Sequence, residues 1–513
     1  MFILVILFIP FALSIISLFT PLEKVADGGL KLLLRQSVKD GGSLTGFIKK
    51  ERLFGIINAF GYAIVLGISL LLTARILTPP YVIRQFGIFY IDALSAFFML
   101  ITAIIAFSAS IYSIGYISNE IEEAKISFHN TKVYYCLFNL FCFSMLLAPM
   151  LNNLALVWIV IEMTTLISAF LVGFHNVKES IEAAWKYVII CSVGITFALL
   201  GIIFFYYTAS KDAHVTSLHW LKMYEAARFF NPHTVKIALI FIFVGYGTKA
   251  GLAPMHSWLP DAHSQALSPV SGLLSGVLLK ISLYAILRFV ILAIPSLGYA
   301  FSAQLFILFG LCSLFVSAGF ILVQKDLKRL LAYSSIEHIG LVSIAFGLGP
   351  VAGIYAGLLH IFNHAVTKAF MFFCAGDTVK AYRTNNMNLM QGMFKIAPFT
   401  AGALLLGVFA LTGSPPFSIF ISKILIILAA FGGKRYAIAA VMLLLLAVVF
   451  AGLLQHITKI VFGNKPQNMI KIKEPLSTKA AVLFLAIFIV WFGMKVPVWF
   501  SGLLSACGKI ISG

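Results

Sequence analysis

In the phrase GLLHIFNHAVTKAFMFF, His360, His364 and Lys368 recur every four positions, which puts all three on one face of one helix. Histidine titrates near neutral pH and lysine does so when desolvated, so a face of this kind can pass protons. A metal would need further ligands, and the neighbouring sequence offers none. Other ionisable residues lie inside apolar stretches: Glu162 in WIVIEMTTLISAF, Lys186 in AAWKYVIICSVG, Lys249 in GYGTKAGLAP, Lys280 in GVLLKISLYAIL and Lys423 in SIFISKILII. If these stretches cross a bilayer, each charge costs about 2.5 to 3.5 kcal/mol and marks a functional position that needs a partner. Lys186 and Lys280 stand where a lysine can also snorkel, whereas Glu162, Lys249 and Lys423 are deeper. A glutamate and a lysine 4 Å apart attract by about 4 kcal/mol at an effective dielectric near 20, so moving the carboxylate away would release a proton from the amine. His256, Asp261 and His263, in PMHSWLPDAHS, are expected either to take up protons or to cap a helix.

The elements that must hold these groups are membrane helices. With 61% hydrophobic and 11% charged residues in 513, the chain cannot make a soluble surface, which carries about 25% charge. Apolar runs long enough to cross a hydrocarbon core of roughly 30 Å recur along its length. About fourteen spans are expected: Phe2 to Phe19, Phe54 to Leu72, Asp92 to Tyr116, Val133 to Pro149, Asn152 to Phe174, Ala183 to Thr208, Val235 to Pro254, Ala266 to Ile291, Ser302 to Val323, Leu330 to Leu348, Val351 to Gly376, Ala397 to Leu428, Ala437 to Phe462 and Thr478 to Phe500. The first lacks a basic leader and a small-residue cleavage site, and so reads as a spanning helix. The fold class expected is an all-α integral membrane protein with a single polytopic domain.

Two spans carry helix breakers, Gly245 to Pro254 and Ala410 to Phe417. Proline removes a backbone donor and clashes with the preceding turn, and a break at membrane depth is tolerated only against protein or a water-filled cavity. Paired broken helices are the sign of repeat-built transporters, with the ion path running past the breaks. The connections on one side, including Leu22 to Arg52, Gln324 to Arg329 and Gly463 to Lys479, hold about twice as many Lys and Arg as those on the other, so this side is expected to face the cytoplasm and both termini to lie outside. The net charge of +19 is spread over such loops, which excludes a nucleic-acid surface and leaves lipid headgroups as the counter-charge. The six cysteines lie in or beside apolar runs without metal or cluster spacing, and no cofactor motif is present, so any redox centre is expected on another subunit. The segment SLHWLKMYEAARFF alternates bulky apolar with basic residues like a helix at the interface.

The phrase TKAGLAPMHSWLPDAHSQALSPVSGLLSGVLLK closely resembles the signature of the antiporter-like subunits of respiratory complex I, Mrp cation antiporters and membrane-bound hydrogenases, and within that superfamily is most similar to hydrogenase-4 component F. IYSIGYISNE, ILVQKDLKRLLAYSSIEHIGL and ALTGSPPFSIFISK extend the likeness over roughly residues 90 to 460. The resemblance implies two inverted five-helix repeats, here residues 133–291 and 302–462. It implies that Glu162 is the mid-membrane glutamate paired with Lys249 of the first broken helix, that Lys186 is the lysine of the helix between them and Lys280 a bridging lysine, that His338, His360 and His364 are central histidines, and that Lys423 is the terminal lysine. No long lateral helix is expected after the last span. Three functions fit: a proton-translocating subunit of a hydrogenase or NADH:quinone oxidoreductase-like complex, the membrane partner of an inorganic carbon uptake complex, and an Mrp-type cation/proton antiporter subunit. Each implies partner membrane subunits, protons or monovalent cations as cargo, and a bacterial-type inner membrane.

Overall fold

A computed structural model describes residues 2–19, 43–123, 125–466, 469, 471–472 and 474–512. Of the basic connection Leu22 to Arg52, residues 22–42 lie outside the described residues. In chain order the helices are α1 Phe2–Phe19, α2 Ser43–Ile76, α3 Ala93–Glu122, α4 Phe128–Leu147, α5 Leu154–Val172, α6 Lys178–Ala213, α7 Trp220–Ala226, α8 Pro232–Ala250, α9 Trp258–Gln265, α10 Ser268–Leu273 and α11 Leu279–Leu297. They continue with α12 Ala300–Val323, α13 Leu327–Gly347, α14 Ala352–Tyr382, α15 Met393–Ile396, α16 Pro398–Thr412, α17 Ser418–Gly432, α18 Tyr436–Phe462, α19 Leu476–Met494 and α20 Val498–Ser512. A small antiparallel hairpin, Ile83–Gln85 with Phe89–Ile91, precedes α3. Polar caps fix several starts: the side chains of Asp92, Asn153, Asn231 and Asp326 accept the first free backbone N–H groups of α3, α5, α8 and α13.

Among the described residues, twelve helices are long and apolar enough to cross a membrane, and the two interrupted elements, α8 with α9 and α16 with α17, account for the other two expected spans. Each interruption follows a glycine in the left-handed region, Gly251 at φ +77° and Gly413 at φ +86°, with a proline three residues further on. The residue after each glycine turns its N–H back, Leu252 to Gly247 O and Ser414 to Phe409 O, so the same helix-ending turn is used twice.

One expected span is corrected. Thr478 to Phe500 is not continuous: α19 ends at Met494, because Pro497 offers no N–H for a further turn, and α20 begins after it. This last helix packs back on α3, α11 and α14.

The centre of the bundle is a wall of inward helices. The apolar windows of α13 and α14 are 100% buried, against 28% for α18 at the rim, so Glu337, His338, His360, His364 and Lys368 are enclosed by protein. Helix α14 touches α10, α13, α16, α17 and α19, and its Phe372 stacks on His263 of α9, so it meets both interrupted elements. The interfacial segment forms α7, but Trp220 points inward, its indole N–H donating to Arg288 O at 3.0 Å.

Candidate functional site

At the first break, Lys249 occupies the last turn of α8 and is fully buried. Its Nζ donates to Thr165 Oγ1. Thr165 in turn donates to Glu162 Oε2 at 3.0 Å, and Ser192 donates to Glu162 Oε1 at 2.7 Å. The expected direct contact of Glu162 with Lys249 is therefore replaced by a bridge. Glu162 and Thr165 stand three residues apart on one face of α5, and the lysine reaches the nearer of the two. The ammonium also lies 5.8 Å from the centre of the Tyr187 ring. Trp258 Nε1 donates to Thr248 O at 2.8 Å, a second donor at a helix-end carbonyl that also accepts from Gly251 N–H at 3.2 Å.

Between the breaks, residues Leu274–Leu278 form a π turn joining α10 to α11. Such turns disturb the regular ladder and occur often at functional positions. Here Ser275 O accepts a hydrogen bond from Lys280 Nζ, and Ser275 Oγ meets Ser335 Oγ of α13 at 2.8 Å. One turn away, Lys368 Nζ donates to Leu331 O at 2.6 Å and to Ser334 Oγ. Both lysines are buried and answered by hydroxyls and carbonyls.

The second break carries the densest cluster. His338 Nδ1 lies 2.9 Å from His360 Nε2, and His360 Nδ1 lies 2.9 Å from Ser422 Oγ. The His364 ring stacks on His338 with centroids 4.7 Å apart. Lys423, next to Ser422, donates to Glu337 Oε1 at 3.0 Å and to Thr412 O at 3.2 Å, so one ammonium makes an ion pair and closes the end of α16. Glu337 is fully buried and its Oε2 stands 3.6 Å from His338 Nε2. Sequence reading passed over Glu337, although the rule that selects Glu162 applies to it equally: a carboxylate in mid-helix within SSIEHIG. The bidentate pair of Arg288 with Asp92, at 2.7 Å to each oxygen and buried, was also missed; it ties α11 to the start of α3.

The remaining candidates lie apart from this line. Lys186 is half-exposed and pairs with Glu182 at 2.6 Å and with Asp261 at 3.5 Å, and Asp261 also meets Arg329 at 2.9 Å. His256 is partly exposed in the turn after the first break. His263 is fully buried against Phe372, with centroids 4.7 Å apart, and neither ring nitrogen has a hydrogen-bond partner. Among the described residues no group of three or more His, Cys, Asp or Glu is arranged to hold a metal ion.

Two interrupted helices flanking a buried row of lysines and histidines define an antiporter-like membrane subunit. Residues 151–454 match the family described as NADH:quinone oxidoreductase/Mrp antiporter, TM, and residues 87–125 match the N-terminal region of complex I chain 5. The chain belongs to this family. It is 37% identical over 378 residues to a hydrogenase-4 component F homolog of Methylacidiphilum infernorum, covering 73% of this chain and 79% of that protein. It is 30% identical over 389 residues to hydrogenase-4 component B of Escherichia coli, covering 72% of this chain and 54% of that protein. Its fold is that of a chain in the archaeal membrane-bound sulfane sulfur reductase, at a TM-score of 0.80 and 24% identity over 99% of this chain and 98% of that one. A chain of the Mrp complex from Dietzia is similar at a TM-score of 0.78 and 18% identity, over 95% of this chain and 99% of that one.

Proposed function

We propose that this chain translocates protons as a non-redox membrane subunit of a hydrogenase or NADH:quinone oxidoreductase-like complex, with redox energy supplied by partner subunits. The observation that carries the reading is the series from the half-buried Glu162 and the buried Lys249 through Lys280, Lys368 and the histidines to Lys423, in which His338, His360 and Ser422 form consecutive contacts of 2.9 Å. A proton arriving at the histidines has an unbroken set of donors and acceptors to the residue beside Lys423. Glu337 stands at 3.0 Å from Lys423, and release toward the far side requires this ion pair to part.

Residues 133–291 and 302–462 are read as two five-span repeats, each with its fourth span interrupted. Because five is odd, the second set starts from the opposite face, which supports an inverted relation. Glu162→Gln and Lys249→Ala should each stop translocation while the complex still assembles. Proton uptake by membrane vesicles carrying the whole complex checks this, and parental rates for both variants would sink the relay.

A further inference from the structure

A cleft of about 490 Å³ lies between the ends of α3 and α14 and the segment before α19, on the side that carries the basic loops. Its lining includes Glu122, Glu123, Lys380, Glu474 and, at its inner end, Asp377. Asp377 Oδ1 accepts a hydrogen bond of 2.9 Å from the hydroxyl of Tyr112, a residue with no exposed surface. Behind this pair stands Gly376. A Cβ placed there would come closer than 3.0 Å to both Tyr112 Oη and Ser268 Oγ, so the two hydroxyls converge on the space that glycine leaves free. Ser268 Oγ, beside Tyr116, makes no hydrogen bond of normal geometry. Further in is His263, whose two nitrogens are likewise unsatisfied, stacked on Phe372 one turn of α14 beyond Lys368. Buried polar atoms are normally paired, so three unpaired ones in sequence between a polar cleft and a buried lysine call for an occupant that comes and goes.

We infer that Asp377 and Tyr112 form a proton intake, which passes protons from the cleft by way of Ser268 and His263 to Lys368. The inference rests on the relay reading above. In each passage Asp377 takes a proton from the cleft water, the Tyr112 hydroxyl turns from Asp377 and Phe373 O toward Ser268, accepts the Asp377 proton at its oxygen and gives its own onward, and the hydroxyl then turns back with both groups at their starting charge. Asparagine at 377 still accepts from Tyr112 but cannot carry a proton, which separates intake from a packing role.

The test compares Asp377→Asn, Asp377→Glu, Tyr112→Phe and Lys249→Ala in vesicles with the assembled complex at matched expression. Asp377→Asn and Tyr112→Phe should slow translocation on the order of tenfold or more, since a positioned proton-transferring group contributes about 100-fold to 10 000-fold where its step limits the rate. Asp377→Glu should retain most of it. Parental rates for Asp377→Asn with Lys249→Ala inactive would overturn the intake and leave the relay standing. Full translocation by Tyr112→Phe would overturn the route even with Asp377→Asn impaired. Parental rates for Lys249→Ala would remove the relay and the intake with it.

Discussion

The two interrupted elements end their first helices with the same glycine turn but complete the break differently. At Gly251 the lysine precedes the turn by two residues, an indole from α9 donates to the Thr248 carbonyl at the helix end, and the ammonium meets a threonine hydroxyl while the carboxylate stands one hydroxyl further off. At Gly413 the lysine follows by ten residues, and its ammonium both satisfies the open carbonyl and pairs directly with a buried carboxylate. One acid–amine pair is parted and the other joined. A buried charge is costly unless it is paired, so the two ends of the row hold different electrostatic arrangements, an amine answered by a neutral hydroxyl at one and an ion pair at the other. Under the proposed function, protons move on only if the reverse arrangement is also reachable.

The largest effect is expected from breaking the joined pair. Glu337→Ala leaves Lys423 charged and without its partner in the interior, which costs about 3 to 5 kcal/mol and should stop translocation. Thermal unfolding of the purified complex should show the loss, and the double variant Glu337→Leu with Lys423→Met should recover stability without recovering transport. Unchanged stability in Glu337→Ala would mean that the ion pair is not the state that dominates in the membrane.

Lys423→Arg sharpens the same point. Arginine keeps the charge and can still reach Glu337, but it does not deprotonate in a protein, so transport should fall nearly as far as in Lys423→Ala while stability stays near parental. Full transport by the arginine variant would leave Lys423 as a fixed positive post.

The parted pair is tested at Thr165. Thr165→Val removes the hydroxyl between Lys249 and Glu162 and leaves a buried donor unanswered, at a cost of about 1 to 3 kcal/mol, whereas Thr165→Ser keeps the bridge. Transport should drop in the valine variant and survive in the serine variant. Equal transport by the two would show that the lysine reaches the carboxylate without the hydroxyl.

The spans were legible because lipid as solvent demands about 20 apolar residues per crossing, and the breaks because Gly and Pro interrupt two of them. Which helices lie inside was not legible. Lipid tails and protein interiors are both apolar, so hydropathy ranks Tyr436–Phe462 at the rim above Leu327–Gly347 at the centre. Glu337 was visible in the sequence, but its partner lies 86 residues away and the pairing exists only in the fold. Thr165 carried no signal, since a neutral hydroxyl in a membrane helix usually bonds to its own backbone. Lys186 was selected by the resemblance and by its apolar surroundings, and the fold sets it apart from the row.

That separation yields the smallest expected effect. Lys186 shares Asp261 with Arg329 and meets Glu182 four residues before it on α6, and its side chain is 48% exposed. Exposed pairs of this kind contribute little because water screens them, and Asp261 already pairs with Arg329 at 2.9 Å. Lys186→Ala should therefore leave unfolding temperature and transport close to parental values, well above Thr165→Val in both. Transport measured in vesicles at matched expression decides the matter. A loss as deep as that of Lys249→Ala would show that protons pass through the half-exposed surface between α6 and α9, and the contrast between a parted inner pair and a joined one would have to include a third, open station.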